Sequence, residues 1–117
     1  PAYHNRGHVY HELNRLDLSI LDLNRSIDLC PDNINTYLIR AEVHYDLNRH
    51  DLAIADYNHI LLLDPKCDDA WYEKACILDE MGMTAEAIQA YKSYLICADK
   101  ENSEQIEYAK ERIIKLL

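Results

Sequence analysis

Bulky and small apolar positions recur along the chain at helical spacing, and the pattern returns every 34 residues. Tyr3, Tyr37 and Trp71 share one register, and Gly7, Ala41 and Ala75 share another. Leu13, Leu47 and Met81 follow in step, then Asn14, Asn48 and Gly82. The match continues through Ser19, Ala53 and Ala87, through Ile20, Ile54 and Ile88, and through Leu23, Tyr57 and Tyr91, while Pro31 and Pro65 close two of the three units. A fixed period of this length marks stacked repeats. Within a unit, an aromatic, a small residue four later and a third position three beyond (Tyr3, Gly7, Tyr10) lie on one helical face. Asn14, Asn48 and Gly82 tolerate the left-handed backbone that ends a helix. A second helix follows with its own stripe, such as Ala53, Ile54, Tyr57, Ile60 and Leu61. The small residues let the two helices approach closely. Each unit is a helix-turn-helix, and the fold class is all-α.

This order of residue types (aromatic, small, Tyr, then small, aromatic, Pro) resembles the tetratricopeptide repeat family. The resemblance covers essentially the whole chain, with repeats over 1–33, 34–67 and 68–101. It implies a right-handed superhelical solenoid of three repeats. Some positions depart from the family pattern. Arg6, Arg40 and Lys74 replace the usual leucine, and their stems are expected to pack while their charges reach water. Asp99 stands where a third proline would fall, and Ser26 replaces an alanine.

Residues 102–117 predict one further helix, started by Asn102 or Ser103 with Glu104 at its positive end. Ile106, Ala109, Ile113 and Leu116 or Leu117 form its apolar stripe, and Glu107, Lys110, Glu111 and Lys115 face water. Repeat arrays commonly finish with such a cap, although an ordinary C-terminal helix predicts nearly the same contacts. At the other end Pro1 already sits in the first helix, so a single domain excerpted from a longer protein is expected.

Length and composition fit one small domain: 117 residues, 49% of them hydrophobic. No apolar run reaches the ~18 residues of a membrane span. Cys30, Cys67, Cys76 and Cys97 lack CxxC spacing, and free thiols in a reducing, cytoplasmic setting are expected. With only Gly7 and Gly82, no glycine-rich phosphate loop can form. There is no G-x-S-x-G elbow, and His11-Glu12 lacks the second histidine of a zinc protease. The net charge of −9 argues against nucleic acid. These features point away from an enzyme, and no cofactor is implied.

Function then belongs to the surface that stacking creates. The resemblance implies that the first helix of each repeat lines a concave groove where peptides or helices bind. The helical period assigns this face to Pro1, His4, His8, His11 and Glu12 in repeat one. In repeat two it takes Asn35, Leu38, Glu42, Tyr45 and Asp46, and in repeat three Asp69, Tyr72, Cys76, Asp79 and Glu80. Six of these fifteen are carboxylates and none is Lys or Arg, whereas 21 acidic residues in 117 would supply two or three. A partner with basic residues beside apolar ones is expected, since complementary potential speeds encounter and buried aromatics carry affinity. Asp46 and Asp79 are expected to be exposed and of little weight in stability.

Some family members clamp the acidic C-terminal tails of chaperones through Lys, Asn, Asn, Lys and Arg. The matching positions here are His4, His8, Ile39, Asp69 and Glu73, which argues against such a tail. His4, His8 and His11 lie within an arc of about 60° on one helix. They read as solvent-facing polar residues, as groups that make the groove less acidic below roughly pH 6.5, or as a metal site completed by Glu12. His44 occupies a core aromatic register, and His50 and His59 are structural or solvated. The leading function is a scaffold or adaptor that binds a protein or peptide. Alternatives are a regulatory or substrate-recruiting domain of a larger enzyme, and self-association through the groove or the uncapped end.

Overall fold

The computed structural model describes residues 2–117; Pro1, the first position of the expected groove, lies outside them. Seven helices follow one another: α1 (Ala2–Glu12), α2 (Leu16–Leu29), α3 (Ile34–Asp46), α4 (His50–Leu63), α5 (Asp68–Glu80), α6 (Thr84–Cys97) and α7 (Ser103–Leu116). They form two compact units, one running to Leu63 and one from Asp64 to Leu117. In the first, α1 packs on α2, α2 on α3 and α3 on α4; in the second, α5 packs on α6 and α6 on α7.

The repeated turn follows from its residue types. Asn14, Asn48 and Gly82 have φ of 59°, 62° and 77°. Each sits in the same two-bond closure, in which Arg15, Arg49 and Met83 donate to the carbonyls of Tyr10, His44 and Leu78, all at 2.8–2.9 Å. The repeated aromatic also fixes the preceding loop. Tyr37 donates its hydroxyl to the Pro31 carbonyl at 2.8 Å, and the Trp71 indole donates to the Pro65 carbonyl at 2.9 Å. Proline has no N–H to hold such a turn, so its carbonyl serves instead.

The cores form where the small residues predict close approach. Ala41, Ala53, Ala75 and Ala87 are fully buried among Leu23, Tyr57, Ile60 and Tyr91 of their own units. A Cβ on Gly7 would lie 2.8 Å from the Leu23 side chain, so α1 meets α2 at contact distance. In α7, Ala109 is buried while Glu107, Lys110, Glu111 and Lys115 are exposed, as its stripe predicts. Asn102 takes the position before the helix but makes no capping bond with its side chain.

The arginines do more than reach water. The Arg6 side chain is 53% exposed, as expected, and that of Arg40 22%, but both are also bound to buried carboxylates. Arg6 grips Asp22 with two bonds of 2.7 and 2.8 Å, and Arg40 grips Asp56 with bonds of 3.0 and 2.7 Å. The Asp22 and Asp56 side chains are only 3% and 6% exposed. A carboxylate so far from water needs a partner, and the fork geometry of arginine supplies one. Lys74, in the same register, lies 5.3 Å above the Trp71 ring, much as Arg6 and Arg40 lie over Tyr3 and Tyr37, but Ala90 stands where the other repeats carry the aspartate.

Candidate functional site

In the first unit α3 presents Asn35, Glu42, Tyr45 and Asp46 to solvent, with Leu38 half-buried between them. From α1, His8 and Glu12 are exposed and His4 and His11 are partly covered. The histidines are drawn to separate partners. His4 Nδ1 is 2.8 Å from the Thr36 hydroxyl, and His8 Nε2 is 3.2 Å from Glu12. His11 Nε2 lies 2.8 Å from Asp46, with Glu42 3.9 Å from its other nitrogen. Burial, together with the nearby His8, holds His4 below the usual histidine range. Among the described residues no group of three His, Cys, Asp or Glu side chains is arranged to hold a metal ion. The contacts of His4 and His11 link α1 to α3.

Face residues of the second unit are more enclosed. Asp69 and Glu80 are exposed, whereas Tyr72, Cys76 and Asp79 are partly covered. Tyr72 packs 5.0 Å from the Tyr94 ring and 6.3 Å from that of Tyr108 on α7. Burial raises the Tyr72 hydroxyl and the Cys76 thiol above their ordinary ranges, and partial desolvation, with Asp68 alongside, raises the Asp69 carboxyl.

Asp79 is not the free groove anion that helical periodicity predicts. Arg112 of α7 donates two bonds to it at 2.7 and 2.8 Å, and the Tyr91 hydroxyl donates a third at 2.9 Å. Arg112, and then Tyr91, hold its carboxyl below the usual range. Helix α7 therefore brings a cation onto the α5 face, beside a pocket of about 260 Å³ lined by Cys76, Asp79, Glu80, Tyr108 and Arg112. The repeat register contains no hint of this contact, since α7 lies outside the repeat.

The remaining histidines take structural places. His44 is 8% exposed, with Nε2 3.8 Å from Asp56 and Nδ1 without a hydrogen-bond partner. Burial lowers its pKa, partly offset by Asp56. His59 stacks 4.5 Å from Tyr37, and His50 lies 5.0 Å from Tyr45. All four cysteines are free thiols. No described helix is long and apolar enough to cross a membrane.

Comparison with known proteins fits this geometry. A TPR repeat model matches residues 7–48, and a tetratricopeptide repeat model matches 34–67 and 68–95. The chain belongs to the tetratricopeptide repeat family, an all-α class of protein-interaction modules. No curated protein sequence matches it significantly.

Solved structures share the fold at low identity. The second tetratricopeptide domain of human RPAP3, in complex with the HSP70 peptide SGPTIEEVD, is 19% identical with a TM-score of 0.81, over 97% of this chain and 91% of that one. The TPR2B domain of yeast Sti1, in a complex named for pHsp70, is 19% identical with a TM-score of 0.82, over 99% and 97%. The Yersinia enterocolitica secretion chaperone SycD, with a peptide of the translocator YopD, is 15% identical with a TM-score of 0.88, over 98% and 89%.

Proposed function

We propose that this chain is a non-catalytic protein-interaction module whose α1–α3 face binds a peptide segment that is basic with apolar side chains between. One observation carries the reading. Glu12, Glu42 and Asp46 are exposed there beside Leu38 and Tyr45, while the two arginines of these helices, Arg6 and Arg40, are committed to Asp22 and Asp56. The face therefore keeps its negative potential, which attracts Lys and Arg and repels acidic chains. The second unit, taken by itself, exposes Asp69 and Glu80 on the helix that carries Tyr72, and its Asp79 is neutralised by Arg112.

A second reading comes from proteins of the same fold, some of which hold chaperone tails ending in EEVD. Against it, the positions that would clamp such a tail carry His4, His8, Ile39, Asp69 and Glu73, and both carboxylates are exposed. Fluorescence anisotropy with two labelled nonapeptides separates the readings. A Lys/Leu-rich peptide should bind with a Kd of about 10 µM that weakens with salt, and SGPTIEEVD should not bind below about 1 mM. Tighter binding of SGPTIEEVD would replace the basic-partner reading. The mass in solution tests self-association, and the sequence of any longer parent chain tests a recruiting role within an enzyme.

A further inference from the structure

The third repeat contains a vacancy that the first two fill. In the register of 22, 56 and 90 the chain has Asp, Asp and Ala; in the register of 25, 59 and 93 it has Arg, His and Ser. In repeat one, Arg6 and Arg25 both lie over the Tyr3 ring, at 5.7 and 5.6 Å, and Arg6 is bound to Asp22. In repeat two, Arg40 and His59 flank Tyr37 at 5.5 and 4.5 Å, and Arg40 is bound to Asp56. In repeat three the corresponding space is a pocket of about 360 Å³ walled by Trp71, Lys74, Leu78, Ala90 and Ser93.

The vacancy leaves a particular chemistry. The ammonium of Lys74 lies over the Trp71 ring, as the arginines lie over theirs, but Ala90 has no oxygen to offer it. Burial lowers the Lys74 pKa, and the carboxylate of exposed Glu86, which also lines the pocket, only partly opposes this. A partly buried ammonium gains more from an anion brought to it than an exposed one does, because the surrounding dielectric is lower than that of water. Ser93 and Gln89 add hydrogen-bonding groups, and Trp71 and Leu78 add apolar wall.

We infer that this pocket takes an aspartate or glutamate side chain of a partner protein, which supplies to Lys74 the carboxylate that Asp22 and Asp56 supply within repeats one and two. The site is separate from the α1–α3 face and stands or falls without it. It gives the module a second point of attachment, selective for an acidic residue.

The test uses nitrogen-15 NMR on the whole chain, reading the indole signal of Trp71, which is the only tryptophan. The probes are N-acetylglutamate N-methylamide, its glutamine counterpart, and succinate as a free dicarboxylate. The glutamate probe should shift the indole saturably, with a Kd of about 10 mM, typical of so small a ligand. The glutamine probe should leave the signal in place. Ala90→Leu, which fills the space, and Lys74→Gln, which removes the charge, should each abolish the shift while the circular dichroism spectrum is retained. Ala90→Asp should do the same by providing the anion internally. Equal shifts from glutamate and glutamine probes, or an unchanged response in Ala90→Leu and Lys74→Gln, would overturn the inference. Binding of succinate at least tenfold tighter than the capped glutamate would overturn the partner side chain in favour of a small dicarboxylate.

Discussion

Removing the Asp56 carboxylate tests the internal ion pair of repeat two. Arg40 binds it through Nε at 3.0 Å and Nη2 at 2.7 Å, and binds Asn24 of α2 through Nη1 at 2.9 Å. One guanidinium thus ties α2, α3 and α4 together. Breaking a buried pair by deleting one partner costs about 3–5 kcal/mol. Arg40 is 22% exposed and would keep Asn24 and the Tyr37 ring, so it can shed part of the penalty into water. Asp56→Ala should therefore cost about 2–3 kcal/mol, read from urea unfolding followed by circular dichroism with an unchanged slope. Arg40→Leu combined with Asp56→Ala should recover much of that loss, because apolar replacement of a buried pair is often near neutral. The cycle should give a coupling of about 2 kcal/mol. A loss below about 0.5 kcal/mol for Asp56→Ala, or strict additivity of the two substitutions, would refute the reasoning.

Asp79→Ala should destabilise by about 1–3 kcal/mol through its lost hydrogen bonds, whereas exposed Glu42→Ala should change stability by less than about 0.5 kcal/mol in the same assay. Gly7→Ala sets overpacking of about 1–3 kcal/mol against Leu23 against a helix-propensity gain of about 1 kcal/mol, so unfolding should show a net loss of up to about 2 kcal/mol. On acidification, stability should first fall below about pH 6.5, because His4 and His44 have lowered pKa values and the unfolded chain takes up protons there more readily. A second fall should come below about pH 4, as protonation removes the stabilisation that Asp22 and Asp79 provide above the unfolded carboxylate range. His44→Leu should flatten the first step in a pH series of urea midpoints.

The parts of the fold that depend on local stereochemistry were legible in the sequence. Left-handed backbone selects Asn14, Asn48 and Gly82, and close helix contact selects Gly7, Ala41 and Ala75. What escaped depends on contacts between helices. Arg6 and Asp22 lie 16 residues apart on different helices, as do Arg40 and Asp56, and the recurrence of that spacing in two repeats was the available signal. The Arg112 grip on Asp79 depends on how α7 is rotated, which its own apolar stripe does not specify. Helical spacing groups the histidines of α1, yet Thr36 and Asp46 become partners of His4 and His11 only through the spacing of α1 and α3.

The central claim is that the acidic α1–α3 face recruits a basic peptide. Its most direct test is the affinity of the labelled Lys/Leu-rich peptide for wild type and for the Glu42→Lys, Asp46→Asn variant at low and physiological salt, with the melting temperature as a control. The account predicts at least tenfold weaker binding by the variant, a shallower salt dependence, and a nearly unchanged melting temperature. Equal affinity for both proteins would contradict it.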